Sequence, residues 1–128
     1  MNHSYNILIL DDEQGFRDEI GEYLTEKGYH VYLAGLPSQT IEILDSNHID
    51  LAVFDIRLPE MDGLTLLEKI KQKHPDIDVI MMTGFGTTDT AIEAMKIGAD
   101  DYITKPFDGT RIVGIVNSAL KASEMMNE

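Results

Sequence analysis

"LAVFDIRLPEMDGLTLLEKIKQKHPDIDVIMMT", residues 51–83, holds the architecture in one unit. Two short apolar runs, "DLAVF" ending at 54 and "DVIMM" ending at 82, read as strands. Between them Leu64, Leu67 and Ile70 recur at helical spacing, and the residue before Pro75 is where that helix must stop. Strand, helix and strand in succession imply a parallel pair joined by a right-handed crossover. The first strand runs straight into Asp55, with Pro59, Asp62 and Gly63 following as loop and cap residues. A carboxylate at the end of a buried strand is costly unless something charged meets it.

The same alternation extends in both directions. "YNILIL", "YHVYLA" and "DYIT" read as three further strands. Phe16, Ile20, Tyr23 and Leu24 form the apolar face of a first helix, ended by Gly28 in the C′ position. A second helix starts near Pro37 and carries Ile41 and Leu44. A fourth runs from about Thr88 through Ala91, Ile92 and Met95, and stops at Gly98. The fifth follows Asp108 and presents Ile112, Val113, Val116 and Leu120. The fold expected is one α/β domain, a (βα)5 doubly wound parallel sheet with helices on both faces.

Composition narrows the function classes. The 128 residues suit a single core, and 43% apolar with 26% charged residues is an ordinary globular mixture. Against 10 basic residues stand 23 acidic ones, a net charge of −13. Phosphate backbones and anionic membrane surfaces repel such a chain, so direct nucleic-acid or membrane binding is not expected. There are no cysteines, which excludes disulfides and thiolate metal sites. With no signal peptide at Met1–Asn6 and no apolar run of bilayer length, a cytoplasmic location is expected.

Each strand is followed by a chemically distinctive residue. Asp11 and Asp12 follow the first, Asp55 the third, Thr83 ends the fourth, and Lys105 follows the fifth. In a doubly wound sheet ligands bind beyond the carboxyl ends of the strands, where the winding reverses, so these side chains are expected to share one cleft. Three carboxylates together repel unless one is protonated or a cation joins them. Hard oxygen donors without sulfur or histidine favour Mg²⁺ or Mn²⁺. With Lys105 and the Thr83 hydroxyl able to receive phosphoryl oxygens, Asp55 reads as a nucleophile for a phosphoryl group.

"DDE" at 11–13, "DIRLPEMDG" at 55–63, "MTGFG" at 82–86 and "YITKPF" at 102–107, in this order, resemble the receiver domain of two-component response regulators. The resemblance covers about Tyr5 to Leu120, within a receiver domain assigned to 1–128, residues 121–128 ending the last helix or starting a linker. It implies a flavodoxin-like topology with strand order 2-1-3-4-5. It implies Asp55 as phospho-acceptor, Asp11 and Asp12 as the acidic pair holding Mg²⁺, and the Arg57 backbone carbonyl completing the metal site. Thr83 matches the switch hydroxyl, Lys105 the phosphate-binding lysine and Tyr102 the switch aromatic. A cis Lys105–Pro106 bond is also implied. Leu58 stands where many receivers have methionine, a conservative packing change.

The function implied is that of a signalling switch, not an enzyme. A sensor histidine kinase or phosphotransfer protein would supply the phosphoryl group. The face made by the fourth helix, fifth strand and fifth helix would then change its affinity for a partner, a second copy in a homodimer included. The run "TGFGTTDTAIEAMKIGADDYITKPF" is similar to receivers joined to sigma-54-dependent AAA+ activators, which leaves two alternatives: a receiver of a longer regulator whose output domain lies outside these residues, or a stand-alone receiver that acts by protein contact. Two enzyme or carrier readings fit less well. A haloacid-dehalogenase-type phosphatase expects a second aspartate where Arg57 stands, and a flavodoxin-like carrier expects a phosphate cradle where "DDEQGF" would repel one. Asp11 or Asp12 as plain helix caps, Asp62 as a cap and Asp100 and Asp101 as solvated loop acids are the blander expectations. Arg57 and Phe85 are placed at the border of the site, where they would tune access of water.

Overall fold

The computed structural model describes residues 4–84 and 88–126; Phe85 lies outside them. Strands and helices alternate as β1 (Asn6–Leu10), α1 (Gln14–Glu26), β2 (His30–Ala34), α2 (Pro37–Ser46), β3 (Leu51–Asp55), α3 (Gly63–Lys73), β4 (Asp78–Thr83), α4 (Thr88–Ile97), β5 (Asp101–Thr104) and α5 (Gly109–Met126). All four strand pairings are parallel, in the order β2-β1-β3-β4-β5. The chain therefore winds one way from β1 to β2 and the other way from β3 onward, and the reversal falls between β1 and β3.

Successive strand residues point to opposite faces, so β1, β3 and β4 must be apolar on both sides. Leu8, Leu10, Ala52, Phe54, Val79 and Met81 pack toward α2, α3 and α4, against Leu44, Leu66, Leu67, Ile70 and Ala94. Ile7, Ile9, Leu51, Val53, Ile80 and Met82 pack toward α1 and α5, against Ile20, Leu24, Ile112, Val116 and Leu120. The edge strands β2 and β5 are only partly covered. None of the helices among the described residues is long and apolar enough to cross a membrane.

The helix boundaries follow from local chemistry. Gly28 takes φ +96 after the last turn of α1, where a side chain would be strained. Glu13 is the residue that caps α1, accepting from the amides of Gly15 and Phe16, so neither Asp11 nor Asp12 is spent on that role. Asp62 caps α3 through the Thr65 amide. Gly63 has to be glycine because the loop folds back on the end of β3. Its amide donates to the Ile56 carbonyl at 2.6 Å, and a Cβ there would stand 2.7 Å from the Ile56 Cα.

One helix packs against its hydropathy, and one expectation needs correction. In α4 the buried residues are Ala91 and Ala94, whereas Ile92 and Met95 are 50% and 41% exposed. Small side chains let α4 approach its neighbours closely, and the larger apolar pair is left facing outward. Asp100 is no solvated loop acid: its Oδ2 accepts from the Val79 amide at 2.7 Å and from Lys71 Nζ at 3.1 Å. It ties the entry of β5 to β4 and α3.

Candidate functional site

The parallel register delivers four strand ends to one pole. Leu10 pairs with Phe54, Asp55 with Met82 and Thr83 with Thr104, so Asp11, Asp55, Thr83 and Lys105 emerge side by side across β1, β3, β4 and β5. The Lys105 amide donates to the Thr83 carbonyl at 2.7 Å, which fixes the backbone from which the lysine projects. The Lys105–Pro106 peptide bond is cis.

Lys105 Nζ donates to Asp55 Oδ2 at 2.7 Å and to Asp11 Oδ2 at 3.0 Å. The second oxygen of each carboxylate is also engaged, Asp11 Oδ1 by the Glu13 amide and Asp55 Oδ1 by the Arg57 amide, each at 2.9 Å. The Asp11 side chain is 2% exposed, that of Asp55 20% and that of Lys105 28%. Burial by itself would lower the pKa of the Lys105 ammonium. The hydrogen bonds and charges of Asp55 and Asp11 outweigh it, and the net shift is upward. Asp55 therefore meets an ammonium group shared with a second, almost fully buried carboxylate.

A further partner was not legible in the sequence. Phe16, expected only as part of an apolar helix face, lies with its ring centroid 4.4 Å from Lys105 Nζ. Phe107 packs edge-on against that ring at 5.6 Å. The ammonium is held by two carboxylates and by an aromatic face. No local pattern announces such a contact, since it joins α1 to the loop after β5. A groove of about 520 Å³ opens beside Lys105, with Phe16, Tyr23 and Phe107 in its walls.

The remaining expected residues fall into place unequally. The Thr83 side chain is buried and its hydroxyl donates to the Ile103 carbonyl at 3.5 Å, a long contact. Tyr102 is 42% exposed on the edge strand. Asp12 is exposed next to Asp11. Among the described residues no three acidic or histidine side chains close on a point where a metal ion could sit. The Lys105 ammonium is hydrogen-bonded to both Asp11 and Asp55 and so lies between the two carboxylates. The donor chemistry nevertheless fits a hard divalent cation. Two carboxylates share a single ammonium, the exposed Asp12 follows Asp11 in the chain, and the Arg57 N–H donates a hydrogen bond to Asp55.

A family model described as the response regulator receiver domain matches residues 7–117. The chain belongs to that family. Over 125 residues it is 37% identical to an NtrX-like response regulator of Rickettsia bellii, a span of 96% of this chain and 26% of that protein. It is 41% identical over 118 residues to the regulatory protein VanR of Enterococcus faecium, covering 92% of this chain and 51% of VanR. Among solved structures, NtrX of Brucella abortus superposes with a TM-score of 0.93 at 32% identity, over 98% of this chain and 29% of that one. A CheY-like receiver domain protein of Methanospirillum hungatei superposes at 0.91 with 31% identity, over 97% and 99% of the two chains. This receiver domain spans about a quarter of the length of its NtrX-like relative. It is a signalling domain of two-component systems.

Proposed function

We propose that Asp55 accepts a phosphoryl group from the phosphohistidine of a sensor histidine kinase or phosphotransfer protein, and that the resulting charge change resets the face formed by α4, β5 and α5. The observation that carries this reading is the Lys105 ammonium held between Asp55 and Asp11. A carboxylate oxygen of Asp55 attacks phosphorus, the bond from phosphorus to the donor's ring nitrogen breaks, and that nitrogen keeps the electron pair. Lys105 exchanges its bond to Asp55 for one to a phosphoryl oxygen, while Asp11 keeps it close to the reacting atoms. Mg²⁺ (or Mn²⁺) would be held by Asp11, Asp12, Asp55 and the Arg57 carbonyl, and supplies the charge that lets two anions meet.

The switch follows from the neighbouring strand ends. The Thr83 hydroxyl leaves its long contact with Ile103 for a phosphoryl oxygen, and Tyr102 turns inward from its exposed position. Ile92, Met95 and Tyr102, all exposed here, belong to the face that changes. The event is a population shift biased by one local charge. A second copy of the chain is one partner for that face. The likeness to NtrX proteins supports an output of the sigma-54-dependent activator kind in a longer regulator.

Incubation with acetyl phosphate and Mg²⁺ tests the reading. Intact mass should rise by one phosphoryl group that is stable to acid and lost in base, and Asp55→Asn should abolish the gain. Labelling of Asp55→Asn to the wild-type extent would remove Asp55 as the nucleophile.

A further inference from the structure

The loop that carries Asp11 is held from three directions. Its amide donates to the Ala34 carbonyl at 3.1 Å, its Oδ1 accepts from the Glu13 amide, and its carbonyl accepts from Arg17 Nη1 at 2.7 Å. The last contact has the length of a charge-assisted bond and reaches back from the first turns of α1 across the loop. The guanidinium needs room to do so, and finds it over Gly35. A Cβ at position 35 would stand 2.9 Å from Nη1 and 3.7 Å from Cζ. Gly35 is not in the left-handed region, so its backbone conformation does not demand glycine. The approach of Arg17 does.

An arginine tip can ordinarily swing aside at little cost. Here the tip is tethered to Asp11, so a side chain at 35 would move the guanidinium at the expense of that bond. We propose that Arg17, seated by the empty space at Gly35, is a positioning residue for Asp11 and thereby sets the affinity of the chain for Mg²⁺. The inference rests on the metal-binding role of Asp11 proposed above. Arg17 acts through the orientation of a ligand-bearing loop, since its positive charge alone would oppose cation binding.

That opposition dictates the test. Arg17→Ala removes position and charge together, whereas Gly35→Ala displaces the guanidinium and leaves every charge in place. Calorimetric Mg²⁺ titrations of wild type, Gly35→Ala, Arg17→Ala and the double variant should show Gly35→Ala binding roughly tenfold more weakly, the usual effect of losing an outer-shell partner. In the Arg17→Ala background the same substitution should change affinity by less than about twofold, because the clash is gone. Arg17→Lys, which keeps the charge without the planar fork, should also bind Mg²⁺ more weakly. In metal-free protein, the NMR shift of the Glu13 amide should move in Gly35→Ala and Arg17→Lys, since it reports on the Asp11 carboxylate. Equal losses from Gly35→Ala in both backgrounds, or no loss in either, would overturn the proposal while wild-type Mg²⁺ binding upholds the functional reading. Absence of Mg²⁺ binding by the wild type would overturn both.

Discussion

Lys105 joins four groups at the strand-end pole: two carboxylates, an aromatic face and the backbone of β4. Its raised pKa has a defined sign for stability. The ion pairs contribute fully below the ordinary lysine range and are lost as pH rises through the raised value in the folded protein. Phe16 offers a separable part of this network. Phe16→Leu keeps apolar bulk but removes the ring face, and should cost about 1 kcal/mol in urea unfolding. The loss should vanish in a Lys105→Met background, where no cation remains to be held. Equal losses in the two backgrounds would mean that Phe16 acts by packing alone. Neither this contact nor the Arg17 bond to Asp11 is readable from spacing, because each joins groups brought together by tertiary register. The residues at the strand ends were readable for the opposite reason. A polar residue directly after an apolar run is placed by the strand itself, whatever the rest of the chain does.

At the scale of elements, β4 and α5 are joined at the other pole by an unusual contact. The Ser123 hydroxyl lies 2.6 Å from both carboxylate oxygens of Asp78. Burial raises the Asp78 pKa most; the Ser123 hydrogen bond opposes it, and the charges of Asp100 and Asp50 add to it against Lys71. A carboxyl whose pKa is raised on folding binds extra protons in the native state, so its contribution falls as pH climbs from the ordinary aspartate range through the raised value. Asp78→Asn removes that penalty and retains a donor and an acceptor for Ser123. It should raise the melting temperature at neutral pH by roughly 2–4 °C and flatten the acid side of the stability profile. An unchanged or lower melting temperature at neutral pH would contradict the net burial penalty on Asp78. Elements also mark where hydropathy misleads. The five strands, Gly28 and Gly98 as helix stops, and Pro37 at a helix start are all where local chemistry puts them. The buried face of α4 is not, because Ala91 and Ala94 pack inward while Ile92 and Met95, the more hydrophobic pair, stand outside. A hydrophobic period cannot tell a core face from an exposed one.

Over the whole molecule, one topological event makes the site: the sheet reverses its winding between β1 and β3, and the ends of four strands meet there. That reversal places Asp11 within reach of the ammonium that also binds Asp55, although Lys105 lies 94 residues beyond Asp11 in the chain. The architecture was legible because each βα unit repeats the same signal. The exposure of Asp12 beside the buried Asp11 was not legible, since whether a neighbouring side chain turns inward depends on what already occupies the cleft. The proposed switch stands on Asp55 as the phosphoryl-accepting group. After phosphorylation with acetyl phosphate and Mg²⁺, borohydride reduction converts an aspartyl phosphate to homoserine, and peptide mass spectrometry locates it. Homoserine is expected at position 55 and nowhere else. Reduction at another aspartate, with position 55 intact, would contradict it.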